Sequence, residues 1–285
     1  MRANIRDTQI YFDVEGAGLV PDGDRMVERP VAMVLHGGPG GDHTGFKPSF
    51  SPLAQQMQLV YVDHRGQGRS ARGDTSRYTL DENVQDMEAL RQYLGLGPIV
   101  SIGTSYGGMV AMAHAARYPQ SVSHLVLIVT AAHAGFNARA RQRVAAHGNA
   151  DQQRVCAQLW AGALKTKEAM AHYYEVMGPM YSRTFDPVAA RGARQRGILA
   201  PEALNMAFAP GGFLQTFDLR PELTCIAAPT LILAGRHDWI CPVQFSEEIH
   251  RLIPGSLLQV LENSSHSVRS DEPQAMRDAI TRFVG

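Results

Sequence analysis

The feature that most constrains the fold of this chain is a regular alternation of short apolar segments with longer amphipathic ones. The apolar segments carry almost no polar residues, which is typical of strands buried on both faces of a parallel sheet. Helical patterns fall between them, so we predict an α/β fold with a mostly parallel central sheet flanked by helices. The predicted strands are "IYFDV", "VAMVL" (31–35), "LVYVD" (59–63), "IVSIG" (99–103), "HLVLIV" (124–129), "TLILAG" (230–235) and "LLQVL" (257–261). The predicted helices are 80–94, 106–118, 243–252 and 273–283.

The alternation is interrupted once. From about residue 133 to residue 223 only helix-like segments occur, and the strand pattern resumes at Thr230. We therefore predict a core formed by residues 1–132 and 224–285, with residues 133–223 inserted as a helical cap, or lid, over one end of the sheet. A separate helical domain is the alternative, but the segment lacks linker-like flanks.

Composition excludes several classes of function. The 285 residues include 27 Lys and Arg against 27 Asp and Glu, with no basic cluster, which argues against a nucleic-acid partner. No apolar run approaches the roughly 20 residues that span a bilayer, and the amino end lacks the apolar core of a signal peptide. Cys156, Cys225 and Cys241 are not at metal-ligand spacing, so we expect reduced thiols, no metal and a cytoplasmic location. The sequence predicts no oligomeric state.

One serine lies at a turn between a predicted strand and a predicted helix. Gly103-Thr104-Ser105-Tyr106-Gly107 fits G-x-S-x-G, the nucleophile elbow, in which a strained turn exposes a serine hydroxyl above the sheet. Side chains at the two glycine positions would collide with the neighbouring strand and helix. The helix that follows directs its free N–H groups at the site. We predict that Ser105 is a nucleophile.

A base and an acid can be assigned by their positions at strand ends. His266 follows the last predicted strand and Asp238 follows the one before, so both belong to the same sheet edge as Ser105. The chain order Ser105, Asp238, His266 is that of α/β-hydrolase triads. Glu262 and Asp271 flank the histidine and are alternative acids. Asp63 ends another strand, and we expect it to pair with Arg65 in its loop.

None of the other ten histidines is predicted to act as the base. His114 is predicted to pack inside a helix of small residues, and His36 to fix the shape of a glycine loop. The remaining eight are expected on the surface or in the cap: His43, His64, His124, His133, His147, His172, His237 and His250.

The glycine loop itself follows the strand 31–35 and reads His36-Gly37-Gly38-Pro39-Gly40-Gly41. Glycines let backbone N–H groups approach a ligand closely, and proline limits how the loop can move. A phosphate-binding loop is the alternative, but neither of its glycine motifs is present. We predict an oxyanion hole formed by the N–H of Gly38 or Gly37 together with that of Tyr106.

In "HGGPGG", "VDHRGQGRS", "GTSYGG", "GRHDWICP" and the late histidine, the chain resembles α/β-hydrolases, in particular the proline iminopeptidase branch of serine peptidases. The resemblance covers about 31–120 and 229 to the end. It implies a cofactor-free enzyme with Ser105, Asp238 and His266 as its triad. Such peptidases bind the free amine of the substrate with cap glutamates, for which Glu168 and Glu175 are candidates, with His36 as a further substrate contact.

The sequence departs from that branch around the active-site motifs. It reads G-T-S-Y-G where the peptidases have G-G-S-W-G, and S-H-S where they have G-H-S. A solvated helix face beside Lys165 and Lys167 is the competing interpretation of the two glutamates. We therefore predict a serine hydrolase of small esters, amides or short peptides. The alternatives are a proline iminopeptidase-type aminopeptidase, a lactonase and, outside enzymes, a non-catalytic binding protein of the same fold.

Overall fold

The computed structural model describes all residues, 1–285. It contains ten strands and eleven α-helices. The strands are β1 (Arg2–Ile5), β2 (Thr8–Glu15), β3 (Leu19–Asp22), β4 (Arg25–Glu28), β5 (Val31–Leu35), β6 (Gln58–Val62), β7 (Ile99–Thr104), β8 (Val122–Ile128), β9 (Thr230–Gly235) and β10 (Leu257–Leu261). The helices are α1 (Lys47–Phe50), α2 (Leu80–Tyr93), α3 (Tyr106–Arg117), α4 (Phe136–His147), α5 (Ala150–Trp160), α6 (Lys167–Tyr181), α7 (Pro187–Arg196), α8 (Pro201–Phe208), α9 (Val243–Leu252), α10 (Val268–Asp271) and α11 (Pro273–Val284).

Eight strands form one sheet in the order β1-β2-β6-β5-β7-β8-β9-β10. Every neighbouring pair from β6 to β10 is parallel. The pairs β1–β2 and β2–β6 are antiparallel. This confirms the predicted fold class and all seven predicted strands. The amino end differs, because the chain reverses at Arg6 (φ 50°) and forms a hairpin. The separate hairpin β3–β4 was not predicted, since its short strands are largely exposed and carry no apolar run.

The two faces of the sheet are covered by two separate hydrophobic cores. In β5, Met33 and Leu35 belong to the larger core, while Ala32 and Val34 belong to the smaller one on the opposite face. Successive side chains of a strand point to opposite faces, so a strand covered on both sides must be apolar throughout. This burial on both faces is why the strands could be recognised from the sequence.

Between β8 and β9 the chain forms the helices α4 to α8, and we call residues 133–223 the cap segment. Its two ends are paired with each other. Ala134 N donates to the carbonyl oxygen of Phe217 (2.9 Å), and Leu219 N donates to that of Ala132 (2.8 Å). The segment therefore leaves and rejoins the core at one place. No helix of the protein, in the cap segment or elsewhere, is long and apolar enough to cross a membrane.

Candidate active site

Ser105 lies at the tight turn between β7 and α3, with φ 54° and ψ −119°. A Cβ on Gly107 would lie 2.2 Å from the carbonyl oxygen of Leu35, in β5. A Cβ on Gly103 would lie 2.3 Å from the carbonyl oxygen of Gly107, in α3. Both contacts are with backbone that cannot move aside, so glycine is required at both positions. The turn thus exposes Ser105 at the carboxyl end of the central strand, as the motif predicts.

A continuous hydrogen-bonded chain joins the three predicted triad residues. Ser105 Oγ lies 3.0 Å from His266 Nε2, and His266 Nδ1 lies 2.8 Å from Asp238 Oδ2. The histidine is 8% exposed and the aspartate is fully buried. The residues come from three strand ends that share one sheet edge. The arrangement can take a proton from the serine hydroxyl and stabilise the imidazolium that results.

The second oxygen of Asp238 fixes the carboxylate in place. Asp238 Oδ1 accepts hydrogen bonds from the backbone N–H groups of Ile240 (2.8 Å) and Cys241 (3.0 Å). The two alternative acids point elsewhere. Glu262 pairs with Arg236 at the exposed surface, and Asp271 binds backbone and hydroxyl groups away from the imidazole. Neither is in contact with His266.

The glycine loop passes directly beside the nucleophile. A Cβ on Gly37 would lie 3.1 Å from the Cβ of Ser105, so a side chain there would press against the nucleophile. The N–H groups of Gly37 and Gly38 have no hydrogen-bond partner in the protein. Gly38 has φ 123° and is joined to Pro39 by a cis peptide bond. Tyr106 is the first residue of α3, so its N–H has no acceptor within the helix. These three donors are the ones predicted for an oxyanion hole.

His36 supports this loop from below. Its Nδ1 donates to the carbonyl oxygen of Gly37 (2.7 Å), and its Nε2 accepts from the backbone N–H of His64 (3.3 Å). Burial lowers the pKa of both imidazoles, so both are neutral. His36 is buried and does not line the cavity beside Ser105, so the prediction of a substrate contact is wrong. The expectation that His43 and His64 are surface residues is also wrong, because both are buried.

Asp63 does not pair with Arg65 as expected. Its Oδ1 accepts from the ring Nδ1 of His43 (2.7 Å), whereas Arg65 pairs with Asp86 of α2 (2.6 Å). The carboxylate of Asp63 also accepts from the backbone N–H groups of His43 (2.9 Å) and Arg69 (2.8 Å), so both of its oxygens are already bonded within the turns around it. A Cβ on Gly68 (φ 50°) would lie 2.3 Å from Asp63 Oδ2, so the turn closes tightly over the carboxylate. Asp63 thus ties the turn at residues 43–45 to the end of β6.

A cavity of about 600 Å³ opens above Ser105, between the sheet edge and the cap segment. Its cap side is rich in aromatic side chains, among them Tyr173, Tyr174 and Tyr181 of α6. The Tyr181 ring lies 5.7 Å from the ring of His266 and 5.5 Å from that of Trp239. Burial raises the pKa of Tyr174 to about 12. Sequence analysis missed this wall, although the cluster of tyrosines in "HYYEVMGPMY" was a signal that could have indicated it.

The structure does not bring Glu168 and Glu175 to the cavity. Both are exposed on α6, and Glu175 forms an ion pair with Arg191 at the surface (3.3 Å). The buried face of the helix carries Met170, Tyr173 and Met177 instead. The prediction that the two glutamates bind substrate is therefore wrong. They lie on a solvent-exposed helix face, as the competing interpretation held.

The tyrosine that replaces tryptophan in the elbow also lies outside the cavity. The side chain of Tyr106 is fully buried, and its hydroxyl accepts a hydrogen bond from Asn83 Nδ2 (2.6 Å). Its ring packs beside Phe213 (5.8 Å between centroids). The substitution therefore does not alter the wall that a substrate would touch. No group of three or more His, Cys, Asp or Glu side chains in the protein is arranged to hold a metal ion.

Comparison with known proteins agrees with this geometry. The family model for the alpha/beta hydrolase fold matches residues 30–273. The proline iminopeptidase PfmaB of Pestalotiopsis fici is 30% identical over 270 residues, which are 92% of this chain and 94% of the relative. Among solved structures, an esterase from Exiguobacterium antarcticum superposes with a TM-score of 0.77 at 21% identity, covering 99% and 98% of the two chains. A proline iminopeptidase of Mycobacterium smegmatis gives 0.77 at 20% identity, covering 100% and 97%.

These matches confirm the predicted resemblance to the proline iminopeptidase branch and the prediction of a hydrolytic enzyme. The matched residues include the glycine loop, the elbow serine, the aspartate and the histidine, which lie together at one sheet edge. The chain belongs to the α/β-hydrolase family.

Proposed function

We propose that the protein is a serine hydrolase that cleaves small ester or amide bonds through an acyl-enzyme intermediate. Ser105 is the nucleophile, and His266 acts first as general base and then as general acid. The carboxylate of Asp238 orients the imidazole. The observation that carries the proposal is the hydrogen-bonded chain from Ser105 Oγ through His266 to Asp238, with distances of 3.0 and 2.8 Å. A serine hydroxyl is a weak nucleophile unless such a base takes its proton.

In the first half of the reaction, Ser105 Oγ bonds to the substrate carbonyl carbon while its proton passes to His266 Nε2. The carbonyl oxygen becomes an oxyanion, and the N–H groups of Tyr106 and of Gly37 or Gly38 stabilise its charge. When the intermediate collapses, the bond to the leaving group breaks and His266 donates the proton to the departing oxygen or nitrogen. Water then attacks the acyl carbon while His266 takes one of its protons. When this second intermediate collapses, the acid product leaves and His266 returns the proton to Ser105 Oγ. No cofactor takes part.

Labelling with a fluorophosphonate probe tests this proposal. The wild-type protein should react at Ser105, and Ser105→Ala should lose both labelling and turnover of p-nitrophenyl acetate, by on the order of 10⁴-fold or more. Ser123→Ala is a matched control, because Ser123 lies in β8 away from the cavity. Full labelling of Ser105→Ala would falsify the assignment, and a folded wild type that neither labels nor turns over would favour a binding protein.

Aminopeptidase activity is the second candidate, because several curated relatives are named proline iminopeptidase. A substrate with a free amine requires a carboxylate partner for the buried ammonium group. The acidic residues that line the cavity are Asp42 and Asp186, and both are already bonded. We therefore place the ester and amide activity first. A kcat/KM for prolyl-naphthylamide far above that of its N-acetyl twin would reverse this order.

A further inference from the structure

Arg269 is a cavity residue that the proposed reaction does not use. It lies in the short helix α10, three positions after His266. It lines the same cavity as Ser105 and His266 and is half-buried there. Its guanidinium forms no ion pair. It makes one long hydrogen bond, from Nη1 to Ser270 Oγ (3.4 Å), and its Cζ lies 4.9 Å from the ring centroid of Phe46. By contrast, the buried guanidinium of Arg65 pairs with Asp86 at 2.6 Å.

The nearby carboxylates are already occupied. Asp271 accepts from the hydroxyl of Ser182 (2.6 Å) and the N–H of Thr184 (3.1 Å) with Oδ1, and from the N–H of Ser265 (2.9 Å) with Oδ2. Asp42 accepts from Arg69 Nη1 (2.9 Å) and from the N–H of Ile198 (2.8 Å). Neither aspartate lies within ion-pair distance of Arg269, so the guanidinium has no ion-pair partner within the protein.

Two further arginines line the same cavity. Arg194 and Arg196 lie at the end of α7, which packs against the turn at residues 43–45. Arg269 lies beside the same turn, since a Cβ on Gly45 would lie 3.9 Å from Arg269 Nη2. Neither Arg194 nor Arg196 is paired with a carboxylate; Arg196 Nη1 donates to the carbonyl oxygen of Gly192 (3.0 Å). We call Arg194, Arg196 and Arg269 the arginine cluster.

A desolvated cation without a counter-ion is unfavourable unless something supplies the opposite charge. Desolvation by the cavity wall lowers the pKa of Arg269, against the opposing effect of Asp271, but a guanidinium stays protonated at neutral pH. A planar carboxylate fits its fork of donors, and such charge-assisted bonds are about twice as strong as neutral ones. The partner that this side of the cavity lacks is an anion.

We propose that the substrate carries a carboxylate, separate from the bond that is cleaved, and that Arg269 binds it. This inference rests on the proposed hydrolase function and specifies its substrate class. The aromatic wall of α6 receives the apolar part of the substrate, and the arginine cluster receives the charged end. A free ammonium group would be repelled by the same cluster.

The test uses pairs of esters in which a second carboxyl group is either free, and so charged, or masked as its methyl ester. One arm carries the carboxylate on the acyl side: p-nitrophenyl hydrogen adipate against p-nitrophenyl methyl adipate. The other arm carries it on the leaving group: 4-acetoxybenzoate against methyl 4-acetoxybenzoate. The wild-type kcat/KM for the acid should exceed that for its methyl ester by about tenfold or more in at least one arm. The arm that shows it identifies the side of the scissile bond that faces Arg269.

Variants link the preference to Arg269. In Arg269→Gln the ratio of acid to methyl ester should fall about ten- to a hundredfold, and Arg269→Lys should retain part of it. Arg251→Gln is the matched control, because Arg251 is exposed on α9, forms no ion pair and does not line the cavity. It changes the net charge equally and should leave the ratio unaltered. A second measurement needs no variant. Free adipate should inhibit the wild-type enzyme competitively at concentrations where its uncharged counterpart, adipamide, does not.

A wild-type ratio at or below one in both arms, or a ratio that Arg269→Gln leaves unchanged, would overturn the inference. If the methyl esters are then still hydrolysed and Ser105 still reacts with fluorophosphonate, only the substrate class is wrong. If neither ester of any pair is hydrolysed and Ser105 does not react, the proposed function itself fails. If Arg269→Gln does not fold, the adipate inhibition decides in its place.

Discussion

The carboxylate of Asp271 accepts a hydrogen bond of 2.6 Å from the hydroxyl of Ser182, the residue that caps the end of α6. The other carboxylate oxygen accepts from the N–H of Ser265, next to His266 (2.9 Å). Together with the hydrogen bonds from Ser267 N to the carbonyl oxygen of Tyr181 (2.8 Å) and from Ser265 Oγ to that of Met180 (2.7 Å), this side chain fixes the histidine loop to the cap segment. The distance between the imidazole and the aromatic wall of the cavity therefore depends on a residue that takes no part in the chemistry.

Asp271→Asn should weaken this connection. An amide has one acceptor where the carboxylate has two, and its NH₂ group would face donors, so the free energy of unfolding should fall by about 1–3 kcal/mol. Fluorophosphonate labelling should slow as the imidazole loses its fixed position. Denaturant unfolding and the labelling rate measure the two effects. Asp278→Asn is the control, since Asp278 accepts only from Gln274 on the exposed face of α11. Equal stability of the two variants would contradict this role.

Asp238→Asn should keep the fold but lose activity. The amide cannot hold the imidazole with its N–H toward Asp238, so kcat should fall on the order of 10⁴-fold. Glu262→Gln, at the exposed ion pair with Arg236, should stay near the wild-type rate. Steady-state kinetics on p-nitrophenyl acetate, with circular dichroism as the folding check, measure both. A natively folded Asp238→Asn protein with near wild-type turnover would show that another group orients the histidine.

Gly107→Ala should damage the elbow. The new methyl group would lie 2.2 Å from the carbonyl oxygen of Leu35 and 2.7 Å from that of His36, so β5 and the glycine loop must separate from α3. We expect destabilisation of about 2 kcal/mol or more and a large loss of turnover. Gly97→Ala, with no atom within 4 Å of its new Cβ, is the control. Thermal unfolding and kcat/KM test it, and wild-type behaviour of Gly107→Ala would refute the steric argument.

The double variant Glu168→Gln, Glu175→Gln should have KM values close to those of the wild type. Both side chains are exposed and outside the cavity, and changes at such positions alter free energies by about 0.5 kcal/mol or less, or roughly twofold in KM. KM values for prolyl-naphthylamide and p-nitrophenyl acetate provide the measurement. A rise of tenfold or more for the prolyl substrate alone would mean that α6 turns its acidic face inward when substrate binds.

Glu88 should make the stability depend on pH. Burial opposes its ionisation, but hydrogen bonds from Arg91, His114 and Gln92 prevail and lower its pKa to about 2. Because this pKa lies below that of the unfolded chain, the stabilisation is complete above about pH 4.5 and is lost as the pH falls toward 2. Glu88→Gln should be less stable than wild type by on the order of 2 kcal/mol at pH 7, with the difference shrinking at low pH. Urea unfolding from pH 7 to pH 3 measures it, and a constant difference would contradict the assignment.

The strands, and the meeting of Ser105, Asp238 and His266 at one sheet edge, could be predicted because each depends on a local sequence pattern. An apolar run such as 31–35 fits only a strand covered on both faces, and the carboxyl ends of parallel strands share one edge, where Ser105, Asp238 and His266 must lie. The sheet order brings the three residues to this edge, and the loops after the strands set the hydrogen bonds among them.

The cap side of the site could not be predicted in the same way. Glu168 and Glu175 share a helix face in the sequence, but which face of α6 meets the cavity depends on how the helix packs against α5 and α7. The face that is buried carries Met170 and Tyr173. The role proposed for Arg269 could not be predicted from the sequence either. That its guanidinium has no ion-pair partner is visible only in the structure, where the nearby Asp42 and Asp271 are bonded to other groups. The partner of Asp63 was missed because it is His43, twenty residues earlier in the chain, which no local pattern connects with Asp63.

The pairing of Ala132 and Ala134 with Leu219 and Phe217 also bears on how such a protein can change over evolution. Since the two ends of the cap segment lie side by side, replacing everything between them leaves the spacing of β8 and β9 unaltered. An exchanged segment from a relative would need to match this pair of ends, the contacts that Asp271 makes and the other hydrogen bonds to the sheet domain, such as those from Ile198 N to Asp42 (2.8 Å) and from Ala200 N to Gly40 (2.9 Å). Selectivity can thus diverge through the interchange of one continuous stretch of chain, while the sheet and its catalytic edge are inherited intact.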